Sequence, residues 1–223
     1  MPTFDFQDGN GLVPAHQHPN GGGWVADTAT VTDTAYVGCD ARVFGNAHVF
    51  DSAEIFGDAR VFGNAEVYDN AKVFGNAKVF GNASVFGNAK IYWHTQVFGD
   101  VLIFGNARIS DNVRVFMHAQ VYGNAEICEN AEIYGYAKVF GDAHVFGNAH
   151  VFDDAQIYEY AKVFGDAKVS GNMKISENEN ACLNKQETTA SIVKKDYPHM
   201  CPNCKSPAYI GFTKIDCSNN CGA

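Results

Sequence analysis

An aliphatic residue recurs at every sixth position from Val25 to Ile175, in 26 consecutive hexads without an insertion. A small residue, usually Ala, lies two positions before it, and Phe or Tyr usually follows it, so that the working unit is Ala-x-Val-Phe-Gly-Asn. Side chains alternate across a strand, which places the Ala and the Val on one side and the aromatic residue on the other. Gly and Asn tolerate the positive φ that a tight corner often requires. Each hexad therefore predicts a short strand followed by a turn.

The period of six also discriminates between folds. It does not match the 3.6 residues of a helical turn, and a Gly in every turn would cost a helix about 1 kcal/mol each. Tandem hairpins are a weaker alternative, because equivalent hexads do not supply alternating antiparallel registers. A stacked coil satisfies the pattern, since each strand then pairs in parallel with its counterpart one coil away. The predicted fold class is all-β, with Val and Ala inside and aromatic and charged residues outside.

Residues 25–175 resemble the hexapeptide-repeat superfamily, the left-handed parallel β-helix. The resemblance implies three hexads, or 18 residues, per triangular coil and about nine coils in all, and it is the only source of the left-handed sense. Trimers are common in this superfamily, so the resemblance favours a homo-oligomer, a trimer first, or a larger protein assembly. The segment from His16 to Val25, HQHPNGGGWV, is similar to the start of hexapeptide-repeat proteins of bacteria and their phages.

The organisation along the chain follows from where the repeat begins and ends. We expect an N-terminal cap over residues 1–24, the hexapeptide-repeat β-helix over 25–176, a polar cap and linker over 177–200, and a zinc-ribbon-like module over 201–223.

Residues eighteen apart should stack on one face, which sorts the outward aromatic residues into ladders. The first ladder is predicted on one face and consists of Phe44, Phe62, Phe80, Phe98, Phe116, Tyr134 and Phe152. The second ladder consists of Phe50, Tyr68, Phe86, Phe104, Tyr122, Phe140 and Tyr158. The third is interrupted at Ser110 and Cys128. Stacking of rings about 4.8 Å apart explains the ladders by itself; the alternative is that at least one ladder is an interface, because large exposed apolar patches mark contact sites.

A mostly basic column lies beside the first ladder and consists of Arg42, Arg60, Lys78, Gln96 and Arg114. Each cation lies two residues before an aromatic residue on the same side, where a cation–π contact is feasible. A solvated face is the favoured interpretation of this column, and an anion-binding strip is the alternative. One neighbouring hexad, Ile91-Tyr92-Trp93-His94-Thr95-Gln96, departs most from the consensus, which marks either a functional turn or relaxed selection at a corner.

Two enzyme types resemble this fold, acyltransferases that use an acyl donor such as coenzyme A and γ-class carbonic anhydrases. The acyltransferases need a general-base His in a cleft, usually helped by a projecting loop, and the repeat has no insertion to form one. The anhydrases need three imidazoles on one zinc. No two of the histidines in the repeat are a multiple of eighteen apart, so a site within one subunit is disfavoured and one between subunits stays open. The pair His16 and His18 could hold a metal or anion, or act as a solvated capping pair.

The four C-terminal cysteines form two close pairs, Cys201 with Cys204 and Cys217 with Cys221. Two such pairs at this separation are typical of a tetrahedral site of four thiolates, so we predict a structural zinc and a module that resembles a zinc ribbon. The alternative is two disulfides. It is weakened by the odd total of 7 cysteines and by an N-terminus that does not read as a secretory signal.

Composition limits the function classes. The formal net charge is −9, and residues 1–176 carry the whole of it, so nucleic acid is disfavoured as a partner. No apolar run is long enough to span a membrane, and no membrane partner is expected. The leading hypothesis is a non-enzymatic structural, assembly or attachment protein, of phage origin if the softer resemblance holds, in a reducing cytoplasm or a virion. The alternatives are an acyltransferase- or γ-carbonic-anhydrase-like enzyme with an intersubunit site, and a rod that binds an anionic polymer.

Overall fold

Each of the 26 hexads forms one short strand, and except at the two ends of the coil each strand pairs in parallel with the strands eighteen residues before and after it. This computed structural model describes residues 1–176, 179–182 and 191–194. Those residues form an all-β solenoid of about nine turns and contain no helix, hence none that could span a membrane. The predicted zinc ligands Cys201, Cys204, Cys217 and Cys221 lie outside the described residues. The predicted coil of three hexads is confirmed, and its left-handed sense stays a prediction from the resemblance.

The first ten strands are β1 (Thr3–Asp5), β2 (Leu12–Gln17), β3 (Trp24–Ala26), β4 (Thr30–Val31), β5 (Tyr36–Val37), β6 (Arg42–Val43), β7 (His48–Val49), β8 (Glu54–Ile55), β9 (Arg60–Val61) and β10 (Glu66–Val67). The next ten are β11 (Lys72–Val73), β12 (Lys78–Gly81), β13 (Ser84–Val85), β14 (Lys90–Ile91), β15 (Gln96–Gly99), β16 (Leu102–Ile103), β17 (Arg108–Ile109), β18 (Arg114–Met117), β19 (Gln120–Val121) and β20 (Glu126–Ile127). The last ten are β21 (Glu132–Ile133), β22 (Lys138–Val139), β23 (His144–Val145), β24 (His150–Val151), β25 (Gln156–Ile157), β26 (Lys162–Phe164), β27 (Lys168–Val169), β28 (Lys174–Ile175), β29 (Glu179–Cys182) and β30 (Ser191–Lys194).

The described strands form three sheets, which we number as faces. Face 1 has 11 strands in the order β1-β2-β3-β6-β9-β12-β15-β18-β21-β24-β27. Face 2 has 9 strands, β4-β7-β10-β13-β16-β19-β22-β25-β28, and face 3 has 10, β5-β8-β11-β14-β17-β20-β23-β26-β29-β30. The corner that follows each face takes the number of that face. On face 1, strands β12, β15 and β18 are longer than their neighbours and continue into the first corner.

The core consists of the inward columns that the sequence predicts. The aliphatic residues from Val37 to Ile175 and nearly all the Ala residues two positions before them are fully buried in one continuous cluster. Burial of a Val or Ile side chain stabilises a fold by about 1.5–3 kcal/mol. Thr95 is an exception in the Ala column; it is fully buried, and its Oγ1 donates a hydrogen bond of 2.8 Å to the carbonyl oxygen of Tyr92.

The corners depend on positive φ. Every corner residue at six-residue intervals from Gly45 to Gly171 has a φ near +60° to +90°, and fourteen of them are Gly. A Cβ on Gly123 would lie 2.8 Å from the backbone nitrogen of Gly141, so stacking of the coils also requires Gly there. The eight corner residues other than Gly are Asp51, Asp69, Trp93, Asp111, Met117, Glu129, Asp153 and Glu159.

Both ends of the described coil carry an antiparallel hairpin. At the N-terminal end, β2 pairs with β1 and with β3, and the buried ring of Phe6 stacks on Phe44 at 4.9 Å. The adjoining loop covers the edge of β5, because Gly23 donates a backbone hydrogen bond to Val37 and Val37 donates one to Asn20. At the other end, β29 extends face 3 in parallel and β30 pairs with it in antiparallel sense. The segment 177–200, predicted as a polar cap and linker, therefore contains two strands.

Candidate functional site

The aromatic ladders stack as the eighteen-residue spacing predicts. In the first ladder, which Phe6 extends at its N-terminal end, successive ring centroids are 4.7–5.1 Å apart. In the second ladder they are 4.8–5.3 Å apart, with ring planes within 9° of each other. The third ladder has the predicted gap at Ser110 and Cys128. Nearly all these rings are half-buried within one chain, so each ladder still presents an apolar edge to the outside. Their role as interfaces stays a prediction.

Face 2 has the least charged middle section of the three faces. Its outward column, one residue before each aliphatic residue, reads Ser84, Leu102 and Gln120 at the centre, and all three side chains are half-buried. Two coils from Leu102 on either side lie Glu66 and Lys138, and neither forms an ion pair within the part of the chain that the structure describes. Face 2 therefore presents a flat neutral centre with an acidic residue toward one end and a basic residue toward the other.

An open concavity lies where the third corner meets face 1, and we call it the corner groove. Its volume is about 520 Å³. Three consecutive coils each contribute one corner residue and one outward residue of face 1, and the lining side chains are Asp58, Arg60, Asn76, Lys78, His94 and Gln96.

Polar side chains in the corner groove lack the bonds that their counterparts make elsewhere. At the second corner, Asn side chains donate to each other in an unbroken ladder from Asn70 to Asp142. At the third corner such a ladder runs only from Asn112 to Asp166. The side chains of Asp58, Asn76, Lys78, His94 and Gln96 make no hydrogen bond or ion pair with any described residue. Arg60 donates to Oε1 of Gln7 at 3.2 Å. The groove thus gathers donors and acceptors that remain available to a ligand.

The off-consensus hexad builds one end of this groove. Trp93 takes the corner position with φ at 59°, a conformation that costs an L-residue about 1–2 kcal/mol. It is 57% exposed. The hydroxyl of Thr95 closes the turn by its hydrogen bond to Tyr92, and His94 and Gln96 line the groove. Strained residues of this kind cluster at functional sites, and only Met117 is a comparable corner residue, since the others are acidic or Gly.

The acidic corner residues show how such strain is usually offset. Carboxylate oxygens of Asp69, Asp111 and Asp153 each accept a hydrogen bond of 3.0–3.1 Å from the backbone N–H of the corner residue one coil ahead. The side chains of Trp93 and Met117 have no acceptor that could do this. No side-chain hydrogen bond at the corner therefore offsets the free-energy cost of positive φ at Trp93 and Met117.

The basic column beside the first ladder is largely engaged. Arg42 and Arg60 both donate to Gln7 at 3.2 Å. Arg114 lies 5.2 Å from the ring centroid of Phe116 and pairs with Glu132 at 3.0 Å. The predicted cation–π contact is thus present at Arg114. Lys78 is exposed and has no such partner among the described residues, so it is a cation of this column that a ligand could reach.

The histidines of the repeat, all within the described residues, do not converge. His118 pairs with Asp100 at 3.3 Å, and His144 and His150 pair with Glu126 and Glu132 at 3.5 and 3.3 Å on different faces.

The two histidines of the N-terminal cap also lie in different environments. His16 is exposed and bonded to Asp27 at 2.9 Å, whereas His18 is 2% exposed and its Nδ1 lies 3.2 Å from the carbonyl oxygen of Asn20. They therefore do not form the shared site that their spacing allowed. Within the described ranges no three His, Cys, Asp or Glu residues are grouped to hold a metal.

The two thiols on the solenoid are poorly suited to nucleophilic chemistry. Burial raises the pKa of the Cys128 thiol, and nearby carboxylates raise it further. The hydrogen bond to Asp40 raises the pKa of the Cys39 thiol. Both therefore stay protonated at neutral pH, and the thiolate is the reactive form.

These features define, over the described residues, a three-sided β-solenoid of hexapeptide repeats with a polar groove at a corner and a face whose centre is uncharged. No protein-family model and no curated protein matches the sequence. Among solved structures, the chain is similar to a hexapeptide transferase family protein from Anaplasma phagocytophilum, with 14% identity, a TM-score of 0.43, and coverage of 70% of this chain and 84% of that one. It is also similar to LpxA from Acinetobacter baumannii, with 15% identity, a TM-score of 0.30, and coverage of 75% and 72%. Both TM-scores are below 0.5, so neither likeness bears on activity.

Proposed function

We propose that this protein is a non-enzymatic assembly or attachment element, a rigid rod that pairs with a second copy of itself through face 2. The observation that carries the proposal is the outward column of face 2, which is self-complementary about Leu102. Dimers with two-fold symmetry use the same patch on both subunits, so the pattern of one copy must match its own reverse.

The match is visible when the column is read in both directions from Leu102. One coil away, Ser84 would lie opposite Gln120, and two coils away Glu66 would lie opposite Lys138. A two-fold axis parallel to the strands sets two rods antiparallel and keeps each column opposite itself. It therefore creates two symmetric Glu66–Lys138 pairs around a neutral centre.

The second ladder fits the same arrangement. In the same rotation Phe86 lies opposite Tyr122, Tyr68 opposite Phe140, and Phe104 opposite itself. Aromatic rings thus meet aromatic rings along the face, and aromatic residues are enriched at protein interfaces.

This arrangement replaces the trimer that the family resemblance favours. A three-fold axis parallel to the rods sets residues of the same coil level against each other. Glu66 and Lys138 are four coils apart, so a trimer leaves both without an opposite charge. The antiparallel dimer uses both charges, which is why we prefer it.

Sedimentation velocity at micromolar concentration tests the pairing. We expect a dimer for the wild type and a monomer for Leu102→Asp, because that carboxylate would be buried at the centre of the interface. Gln96→Asp is the matched control, since it makes a similar change at the same coil level on face 1, and it should stay dimeric. Unchanged circular dichroism must accompany each result.

A charge exchange tests the antiparallel register. Glu66→Lys and Lys138→Glu should each raise the dissociation constant about tenfold or more, since two symmetric pairs become repulsive. The double variant should return to the wild-type value. A monomeric or trimeric wild type, or a double variant no better than the single ones, would overturn the pairing.

An enzyme remains the second candidate, and one contact favours it. Asp100 holds Nδ1 of His118, which is the way a general base is oriented. Against it, residues 25–176 contain no insertion to form a cleft, and His118 is an exposed corner residue. An enzyme of this kind would transfer the acetyl group from acetyl-coenzyme A to an amine or hydroxyl acceptor, and His118→Ala would abolish that transfer. We expect no such transfer.

The C-terminal module belongs to the same proposal. The spacing of its cysteines supports a zinc ribbon that would hold a structural zinc and bind a partner or close the rod. A phage origin, and with it a place in a virion, is supported only by the resemblance of the segment from His16 to Val25; otherwise we propose a reducing cytoplasm.

A further inference from the structure

We propose that the corner groove binds an extended acidic polysaccharide, with Trp93 packed against a sugar ring. This site is independent of the dimer interface, because the groove lies between faces 3 and 1 and the interface on face 2.

The lining of the groove matches the chemistry of a sugar acid. Sugar hydroxyls both donate and accept hydrogen bonds. The side chains of Asp58, Asn76, His94 and Gln96 have no partner among the described residues and offer both functions in planar groups. A uronate carboxylate needs a cation, and Lys78 has no partner among the described residues. The groove thus provides partners for both the hydroxyl groups and the carboxylate of a sugar acid.

An exposed indole next to such a lining favours a sugar over a simple anion. A pyranose ring has one face rich in C–H groups, and an aromatic ring packs against that face while its edge stays wet. Trp93 is more than half exposed and directly precedes His94, which lines the groove. The chain keeps Trp at a corner where most coils have Gly, although the conformation is unfavourable for Trp. A ligand contact gives that choice a physical reason.

The rise of the coil suits a polymer rather than a single sugar. Successive coils are 4.7–5.3 Å apart, as the ring centroids show, which is close to the length of one extended 1,4-linked pyranose unit. A glycan that runs along the rod would therefore present one sugar to each coil. The three stacked pairs that line the groove would then repeat similar contacts with three successive sugars.

Local charge selects an acidic glycan although the whole chain carries −9. Two cations and one carboxylate line the groove, and Arg42 adds a further cation one coil below Arg60. Nucleic acid is a poorer match, because its dense phosphate charge would meet the net negative charge of the rod. Binding should weaken as salt rises, because Lys78 is exposed and Arg60 is only half-buried.

Titration with a hexamer of 1,4-linked galacturonate tests the proposal, with maltohexaose as the neutral probe and a DNA dodecamer as the polyanion. Trp24 and Trp93 are the two tryptophans of the chain, so Trp24→Phe leaves Trp93 as the single fluorescent reporter. We expect saturable protection of Trp93 from iodide quenching by the acidic hexamer, and at least tenfold weaker binding of both other probes.

Trp93→Gly separates binding from folding. It introduces the residue most frequent at corners and removes the strain of the positive φ. The fold should therefore be kept, while the affinity for the hexamer, measured by calorimetry, falls at least tenfold. Met117→Gly makes the same change at the other strained corner and should leave the affinity unchanged. Lys78→Gln should weaken binding and flatten its salt dependence, whereas Lys90→Gln, one face away, should do neither.

Three results would overturn the inference: no saturation by the acidic hexamer, equal affinity for DNA, or equal losses in the two Gly variants. The monomeric Leu102→Asp variant should bind the hexamer with the wild-type affinity per chain, so a failure of the dimer proposal and a failure of the groove proposal give different results.

Discussion

Filling the gap in the third ladder should stabilise the rod cooperatively. Ser110 and Cys128 occupy the two aromatic positions between Tyr92 and Phe146. Ser110→Phe alone adds one ring contact, with Tyr92, and Cys128→Phe alone adds one, with Phe146. The double variant adds both and also a contact between the two new rings.

The size of this coupling follows from the existing ladders. Ring pairs in the repeat stack at 4.7–5.3 Å with planes within about 10°, and such a pair contributes about 0.5–1.5 kcal/mol beyond its buried area. Burial of each new ring against the existing coil, and loss of the hydrogen bond from Ser110 to Asp111, occur in the single and double variants alike and cancel in a double-mutant cycle. The contact between the two new rings, with the area that they bury on each other, occurs only in the double variant. The expected coupling free energy is therefore at least about 0.5–1.5 kcal/mol.

Urea unfolding followed by circular dichroism measures this cycle, provided that unfolding and refolding curves coincide and the m-value is unchanged. The matched control is the pair Ser110→Leu and Cys128→Leu, which adds apolar bulk without a ring and should show a smaller coupling. Strict additivity of the two Phe substitutions, within about 0.3 kcal/mol, would refute the idea that ring stacking holds the coils together. Equal coupling in the Leu cycle would refute it as well.

Three further predictions concern titration, the metal and corner strain. Burial raises the pKa of Tyr68 and Tyr122 in the second ladder, so the folded chain favours their neutral form. The contribution of these two tyrosines to stability should be constant below about pH 10 and be lost as the pH rises past it, so Tyr68→Phe with Tyr122→Phe should reduce the fall of the urea midpoint between about pH 10 and pH 11. Metal analysis of chain purified without chelator should find about one zinc, and Cys201→Ser with Cys204→Ser should remove it; less than half an equivalent in the wild type contradicts the zinc ribbon. Trp93→Gly should stabilise the fold by between zero and about 1.5 kcal/mol, since relief of about 1–2 kcal/mol of strain is set against roughly 0.5–1 kcal/mol of added chain entropy. Asp111→Gly should instead destabilise, because its carboxylate accepts a hydrogen bond from the next coil; an equal effect of both in thermal melts would contradict this.

The coil and its ladders follow from the sequence because the repeat has no insertion. One count of eighteen residues fixes which side chains stack, as the pairing of Phe80 with Phe98 shows. Even the contact of Arg114 with Phe116 follows from side-chain alternation along a strand.

The corner groove could not be derived in the same way. It depends on the third-corner residues lying next to the outward residues of face 1. It also depends on Asn76 and its neighbours at that corner making no side-chain hydrogen bonds to each other. The sequence signal was present in the off-consensus hexad around Trp93, but the strain at Trp93 and the position of His94 and Gln96 beside Lys78 emerge only when the coil closes. The hairpin β1–β2 was likewise outside the reach of the periodicity, because residues 1–24 carry no repeat.

The two end hairpins have a consequence for rod length. Each coil presents nearly the same row of backbone donors and acceptors on its upper and lower surface, so a bare coil would template another chain and grow into a fibre. An incoming parallel coil must find three parallel edges at once. At the start of the rod β2 and β1 extend face 1 by two strands beyond the first coil, and the loop at Gly23 covers face 3, so the three edges do not end at one level. At the far end β30 presents an antiparallel edge on face 3. Head-to-tail growth is thereby blocked at both ends, and the length of the rod is set by its number of hexads.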